Sequence, residues 1–124
     1  MKKRSTTEKG QEGELLAVRF LEDEGFRILD RNYRNRLGEI DIVAEDRGVL
    51  VFVEVRTLKS SPGHSPEETI QWKKQQRISR TALAYIQYKR LEDRPARFDV
   101  VSITLDGNRS ALRHIPDAFE MWEA

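Results

Sequence analysis

The pattern of apolar and polar positions divides the chain into seven elements. Residues 1–8 are expected to be a flexible basic tail leading into a helical pattern from about Thr7 to Glu24, which Gly25 would stop. "FRILDRNYR" follows as an extended segment. Two apolar strands come next, "GEIDIVA" and "VLVFVEVRT", joined by the polar turn "EDRG". "TLKSSPGHSP" has the Ser, Pro and Gly content of a loop. Ser65-Pro66-Glu67-Glu68 has the form of a capping box with proline in the first helical position, so a long helix is expected from there to about Lys89. "LEDRP" breaks it. "RFDVVSITLDG" reads as a strand, and "RHIPDAFEMW" as a strand end followed by a short helix. The order α, β, β, β, α, β, α predicts a single α/β domain, a mixed β-sheet flanked by helices.

Two carboxylates interrupt the strand pattern. Asp41 lies between Ile40 and Ile42, and Glu54 between Val53 and Val55. Burying an acid without partners is costly, so each needs a cation, a donor or a metal. Strand side chains alternate between faces, which places Glu54 and Arg56 with Leu50 and Phe52. A four-residue turn, Glu45 to Gly48, pairs Ala44 with Val49. Asp41 then stands opposite Phe52 and diagonal to Glu54, within reach of a shared ligand. A one-residue slip would part the acids, and both faces are apolar, so the pattern alone leaves the register open. An ordinary ion pair for each acid is one reading. The other is a hard divalent cation on two strand carboxylates, a reasonable phosphodiester-cleaving centre.

The helices repeat this oddity. On a helical wheel Glu14 falls between Val18 and Leu21 in the apolar stripe, while Glu12 falls opposite with Arg19 and Asp23. In the long helix Ile70, Lys74, Ile78, Thr81 and Tyr85 form one stripe, so Lys74 faces inward. Lys73, Arg77 and Arg80 make a neighbouring basic edge, able to contact phosphates or simply to be solvated. Lys74 either runs its methylenes along apolar surface or sits near the acids. Inward charges of opposite sign are what two helices bordering one polar site would carry.

Composition narrows the chemistry. The 124 residues carry a net charge of +1, which argues neither for nor against nucleic acid, so the local distribution of charge decides. The absence of cysteine excludes disulfides, thiolate catalysis and zinc–sulfur sites. His64 and His114 are the only histidines, too few for a histidine-rich metal site. No apolar run would span a membrane, and "MKKRSTTEKG" has no apolar segment behind its basic residues, so a cytoplasmic protein is expected. His64 reads as a loop residue. Asp99 in "RFDVV" is read as structural, paired with Arg97 or a buried donor.

"GELLAVRFLEDEGFRIL", "GEIDIVA", "VFVEVRT", "SPEETI", "RFDVV" and "DAF" together resemble the YraN-like family of small uncharacterised bacterial proteins, over nearly the whole chain. That family resembles the Holliday junction resolvases and the wider PD-(D/E)xK nucleases. The resemblance implies a restriction-endonuclease-like core whose acids converge at one sheet edge. Asp41 matches the metal-binding Asp, Glu54 the acid of the ExK element and Glu14 the acid of the first helix, all three as ligands. Lys74 matches a recurrent basic position on the later helix. Arg56 stands where the motif has Lys. Arginine stays protonated and cannot act as a general base, so Arg56 would orient water or stabilise charge, with Lys74 or Lys59 supplying an amine.

The implied activity is Mg²⁺-dependent cleavage of DNA, with Mn²⁺ a substitute, on branched or damaged structures of repair or recombination. Lys73, Arg77, Arg80, Arg34 and Arg36 are the expected phosphate contacts. Resolvase-like proteins act as dimers, so a homodimer is open to this chain. A non-catalytic nucleic-acid-binding module on the same fold, which Arg56 favours, is the alternative. A protein-interaction domain with an ordinary polar cleft is the third reading.

Overall fold

The computed structural model describes residues 4–59 and 70–120. Helix α1 spans Arg4–Asp23, strands β1, β2 and β3 span Arg27–Asn35, Gly38–Asp46 and Val49–Lys59, helix α2 spans Trp72–Lys89, and β4 and β5 span Ala96–Asp106 and Arg109–Phe119. The five strands form one mixed sheet in the order β1-β2-β3-β4-β5. Only β3 and β4 are parallel. Their connection contains α2, because a parallel pair needs a crossover.

The sheet is the middle of three layers. Leu50 and Phe52 of β3 pack with Ile78, Ala82 and Tyr85 of α2. Val51 and Val53 pack on the other side with Ala17, Val18 and Leu21 of α1. A central strand covered on both faces must be apolar at successive positions, which explains the run "LVFV". Among the described residues, no helix is long and apolar enough to cross a membrane.

α1 begins at Arg4, earlier than Thr7 and inside the stretch expected to be a tail; residues 1–3 lie outside the described residues. It ends as expected: Gly25 takes a φ of 97° and the Phe26 N–H reaches back to the Leu21 carbonyl at 2.9 Å. α2 begins at Trp72 after an extended Gln71, not at Ser65. The Ser65–Glu68 capping box and His64 lie outside the described residues.

Two expectations need correction. The β2–β3 turn has two residues, not four. Arg47 and Gly48 both take positive φ, 53° and 86°, the geometry that matches the twist of paired strands. Glu45 and Asp46 continue the strand because each finds arginine partners: Arg27 and Arg94 on Glu45, Arg97 on Asp46. Asp46 therefore pairs with Val49 and Ala44 with Val51, a shift of two residues from the expected register. An even shift keeps Asp41 and Glu54 on one face, although Ile40 packs on the α2 side and Ile42 on the α1 side.

The second correction concerns "RHIPDAFEMW". β5 runs through to Phe119, and no helix follows among the described residues, which end at Glu120. Pro116 is tolerated because β5 is an edge strand. The strand bulges there: Val100 pairs with Ile115 but Phe98 with Phe119. Asp117, at a φ of 53°, donates its N–H to Asp99 Oδ1 at 2.9 Å, and Phe119 stacks on Phe98 at 4.8 Å.

Candidate active site at the end of the β2–β3 ladder

The backbone pairing of β2 with β3 runs to Ile42 and Val53. Beyond it the Asp41 carboxylate accepts the Val55 N–H at 2.8 Å, in place of a backbone carbonyl. Asp41 and Glu54 thus lie side by side on the face that α2 covers. Each interacts directly with the other's carboxyl group. Lys74 reaches down from α2 and forms an ion pair with Glu54, which is only 7% exposed. These side chains, with Gly38, Glu39 and Arg77, line a cavity of about 320 Å³.

The acids are short of positive charge. Burial pushes the Glu54 carboxyl up to about 7, and the neighbouring Asp41 charge adds to this against the pull of Lys74. Burial also raises Asp41, although the Val55 N–H and Lys74 oppose it. Glu14 approaches from α1, on the other layer. Burial and then Asp41 raise its carboxyl, while Asn32 and Arg31 favour its charged form. Asp41 and Glu54 share the Lys74 ammonium, with Arg77 also on the cavity wall, and raised carboxyls held side by side favour the approach of a further cation.

The donor set suits a hard ion of the magnesium type, which takes one or two carboxylates and completes its shell with water and phosphate. Asp41 and Glu54 would be those two. Glu14 is brought to Asp41 but does not line the cavity, and no group of three acids or histidines is drawn tightly enough to cage a metal among the described residues. Glu14 lies beside Asp41, outside that lining.

The other expected residues fall into two groups. Arg77 lines the cavity. Lys73, Arg80 and Arg36 are exposed and outside its lining, and Arg56 is half-buried two residues beyond Glu54. Arg34 is tied to Glu39 by Nη2 at 2.7 Å and Nε at 3.0 Å, which blunts its charge as a phosphate contact.

Two glycines that the pattern reading did not weigh as packing residues build the site. A Cβ on Gly13 would collide with the Thr57 hydroxyl and touch Ile103, so glycine is what lets α1 lie close enough to β3 for the next residue, Glu14, to reach Asp41. Its signal in the sequence is a lone glycine inside a helical pattern. A Cβ on Gly38 would meet Thr81 Oγ1 at 2.8 Å, so β2 and α2 also approach closely. Asn32, which hydrogen-bonds Glu14, takes a φ of 52°, a conformation asparagine tolerates.

The fold and site together define a mixed α/β domain with paired strand carboxylates beneath a helix-borne lysine. The model of the Uncharacterised protein family UPF0102 matches residues 13–103, a span that holds Glu14, Asp41, Glu54, Arg56 and Lys74. The chain belongs to this family. It is 47% identical to a UPF0102 protein of Geobacter metallireducens, covering 90% of this chain and 92% of the relative. It is 46% identical to one from Persephonella marina, covering 91% and 94%. Among solved structures it is similar to Pyrococcus furiosus SfsA in complex with Ca²⁺, at 14% identity and a TM-score of 0.41, covering 93% of this chain and 65% of that one. The chain thus spans just under two thirds of SfsA.

Proposed function

We propose that this protein is a Mg²⁺-dependent endonuclease, accepting Mn²⁺, that hydrolyses phosphodiester bonds in DNA of branched or damaged structure. The observation that carries the reading is the Asp41–Glu54 pair beside Lys74 in one open cavity. Asp41 and Glu54 would hold the ion. When bound, it would polarise the scissile phosphate and lower the pKa of an attacking water. The Val55 N–H orients Asp41, and Glu14 adds negative charge behind it. The Lys74 ammonium stands at the cavity wall, where it can stabilise charge that develops on the phosphate. Arg77 offers a second cation on the same helix. Arg56 takes no proton, so its part is charge stabilisation or orientation.

The test is calorimetric titration with Mg²⁺ or Mn²⁺, wild type against Asp41→Ala/Glu54→Ala, followed by cleavage assays on synthetic branched DNA. Binding and cleavage by the wild type, both lost in the double variant, are expected. A wild type that neither binds the ion nor cleaves in its presence would overturn the proposal. The pairing of Lys74 with Glu54, together with arginine at position 56, favours a second reading, a non-catalytic DNA-binding module. Equal, salt-dependent DNA binding by both proteins with cleavage by neither would select it.

A further inference from the structure

The acid-lined cavity does not end at the acids. Gly38 and Glu39 also border a second cavity, of about 220 Å³, whose other walls are Arg34, Asn35, Arg36 and Leu37. The two adjoin at Gly38 and Glu39, one reaching to Asp41 and Glu54 and the other to the tip of the β1–β2 hairpin. That tip is short: Asn35 pairs with Gly38, so Arg36 and Leu37 alone form the turn.

The hairpin is held stiffly. Asn35 Oδ1 accepts the Leu37 N–H at 2.8 Å, which fixes the shape of the turn. Below it, the Tyr33 ring packs edge-on against Tyr85 at 4.9 Å, and the Tyr85 hydroxyl donates to Asp30 at 2.8 Å. Gly38 lies directly against the buried Thr81, whose hydroxyl donates to the carbonyl of Arg77 at 2.9 Å. The hairpin and the helix that carries Lys74 and Arg77 are thus locked together.

The chemistry at the tip is apolar and cationic. Leu37 is 43% exposed. Arg34 is neutralised by Glu39, while Arg36 is exposed and has no side-chain partner among the described residues. A single exposed leucine is ordinary. This one sits on a rigid turn, beside an available guanidinium, on a cavity that adjoins the acid-lined one.

We infer that Leu37 is a wedge that reads a break in base stacking, with Arg36 holding the adjacent phosphate. Proteins that bind kinked or unstacked DNA insert apolar side chains in this way. The inference rests on the proposed phosphodiester-cleaving reading of the acid-lined cavity and specifies its substrate as duplex DNA interrupted by a branch point. An intact duplex offers Leu37 no open base face, so insertion there must first break stacking. A preformed rigid turn loses little freedom on binding, which favours discrimination over adaptability.

The experiment is fluorescence anisotropy in EDTA, which prevents cleavage, with a labelled four-way junction and a linear duplex of equal length and composition. The wild type should bind the junction about tenfold more tightly, the scale of one base-stacking contact. Leu37→Ser should reduce that preference to about twofold or less while leaving duplex affinity unchanged. Arg36→Gln should weaken both complexes and flatten their salt dependence. A 2-aminopurine placed at the branch should brighten with the wild type and not with Leu37→Ser. Full preference retained by Leu37→Ser, or no preference in the wild type, overturns the wedge and leaves the cleavage reading standing. No binding to either DNA at low salt overturns the nucleic-acid reading beneath it. Leu37 is exposed, so the variant should fold, and its circular dichroism spectrum checks this.

Discussion

Two clusters of strand-borne acids lie in this sheet, and they are solved in opposite ways. Asp99 on β4 is fully buried. It accepts Arg97 Nε at 2.9 Å and Nη2 at 3.2 Å, lies 2.7 Å from His114 Nε2, and takes the Asp117 N–H. Burial alone would raise its carboxyl, but His114, Arg97 and Asp117 together hold it below the usual carboxylate range. The ring of His114 is in turn flanked edge-on by Phe20 and Phe26. Glu54 is also buried and Asp41 half-buried among apolar residues, yet they share one lysine and one backbone N–H, face each other, and are raised. A fully satisfied acid is a structural pin that ties β5 to β4. Acids left short of cations are groups kept ready for something else.

Removing the pin should have the largest effect. Asp99→Ala leaves His114 and the Asp117 N–H without their partner and Arg97 with Asp46 alone, a loss of about 3–5 kcal/mol by urea unfolding. Asp41→Asn should instead leave the midpoint unchanged or raise it, because it removes a repelling charge. Equal losses in the two variants would erase the distinction between the clusters.

Gly13→Ala comes next. The site depends on close approach of α1 as well as on charge, and the added methyl meets Thr57. A loss of about 1–3 kcal/mol is expected, as for other overpacked positions. No loss would mean that α1 can retreat from the sheet without consequence.

The two clusters should also respond to pH with opposite signs. Glu54 has a folded value near 7 against 4.5 unfolded, so the folded state binds the extra proton. In EDTA, stability should therefore rise as the pH falls from above 7 towards 4.5, and Glu54→Gln should flatten that rise. Asp99 is lowered from 3.8, so its contribution is present above 3.8 and disappears as the pH falls through its folded value. Stability should drop there, less steeply in Asp99→Asn. Urea midpoints measured across this range separate the two slopes, and a single monotonic fall on acidification would contradict the contrast.

The smallest effect belongs to the Arg34–Glu39 pair, whose side chains are 75% and 51% exposed. Arg34→Gln should cost about 0–1 kcal/mol. A larger loss would place the hairpin tip among the elements that hold the fold rather than among those that border the cavities.

Much of the candidate site was visible in periodicity. The helical wheel separated Glu14 from Glu12, and the structure has Glu14 half-buried beside Asp41 with Glu12 exposed. It turned Lys74 inward, and Lys74 meets Glu54. Alternation leaves the register of Asp41 and Glu54 open; the four-residue turn puts them on one face, and its error of two residues, being even, keeps them there. Asp99 reads as paired with Arg97 or a buried donor, and it has both, Arg97 and the Asp117 N–H.

What periodicity determines is which way a side chain faces, because helix and strand geometry repeat locally along the chain. It does not determine how closely two elements approach or which partners meet, since those depend on residues far apart in sequence. The two-residue turn was decided by arginines on β1, β4 and the preceding loop that hold Glu45 and Asp46 in the strand. The course of β5 through Pro116 was decided by Asp99 and Phe98, which capture Asp117 and Phe119. The roles of Gly13 and Gly38 were decided by the hydroxyls of Thr57 and Thr81 across the interface, because a missing side chain has meaning only when something occupies its space.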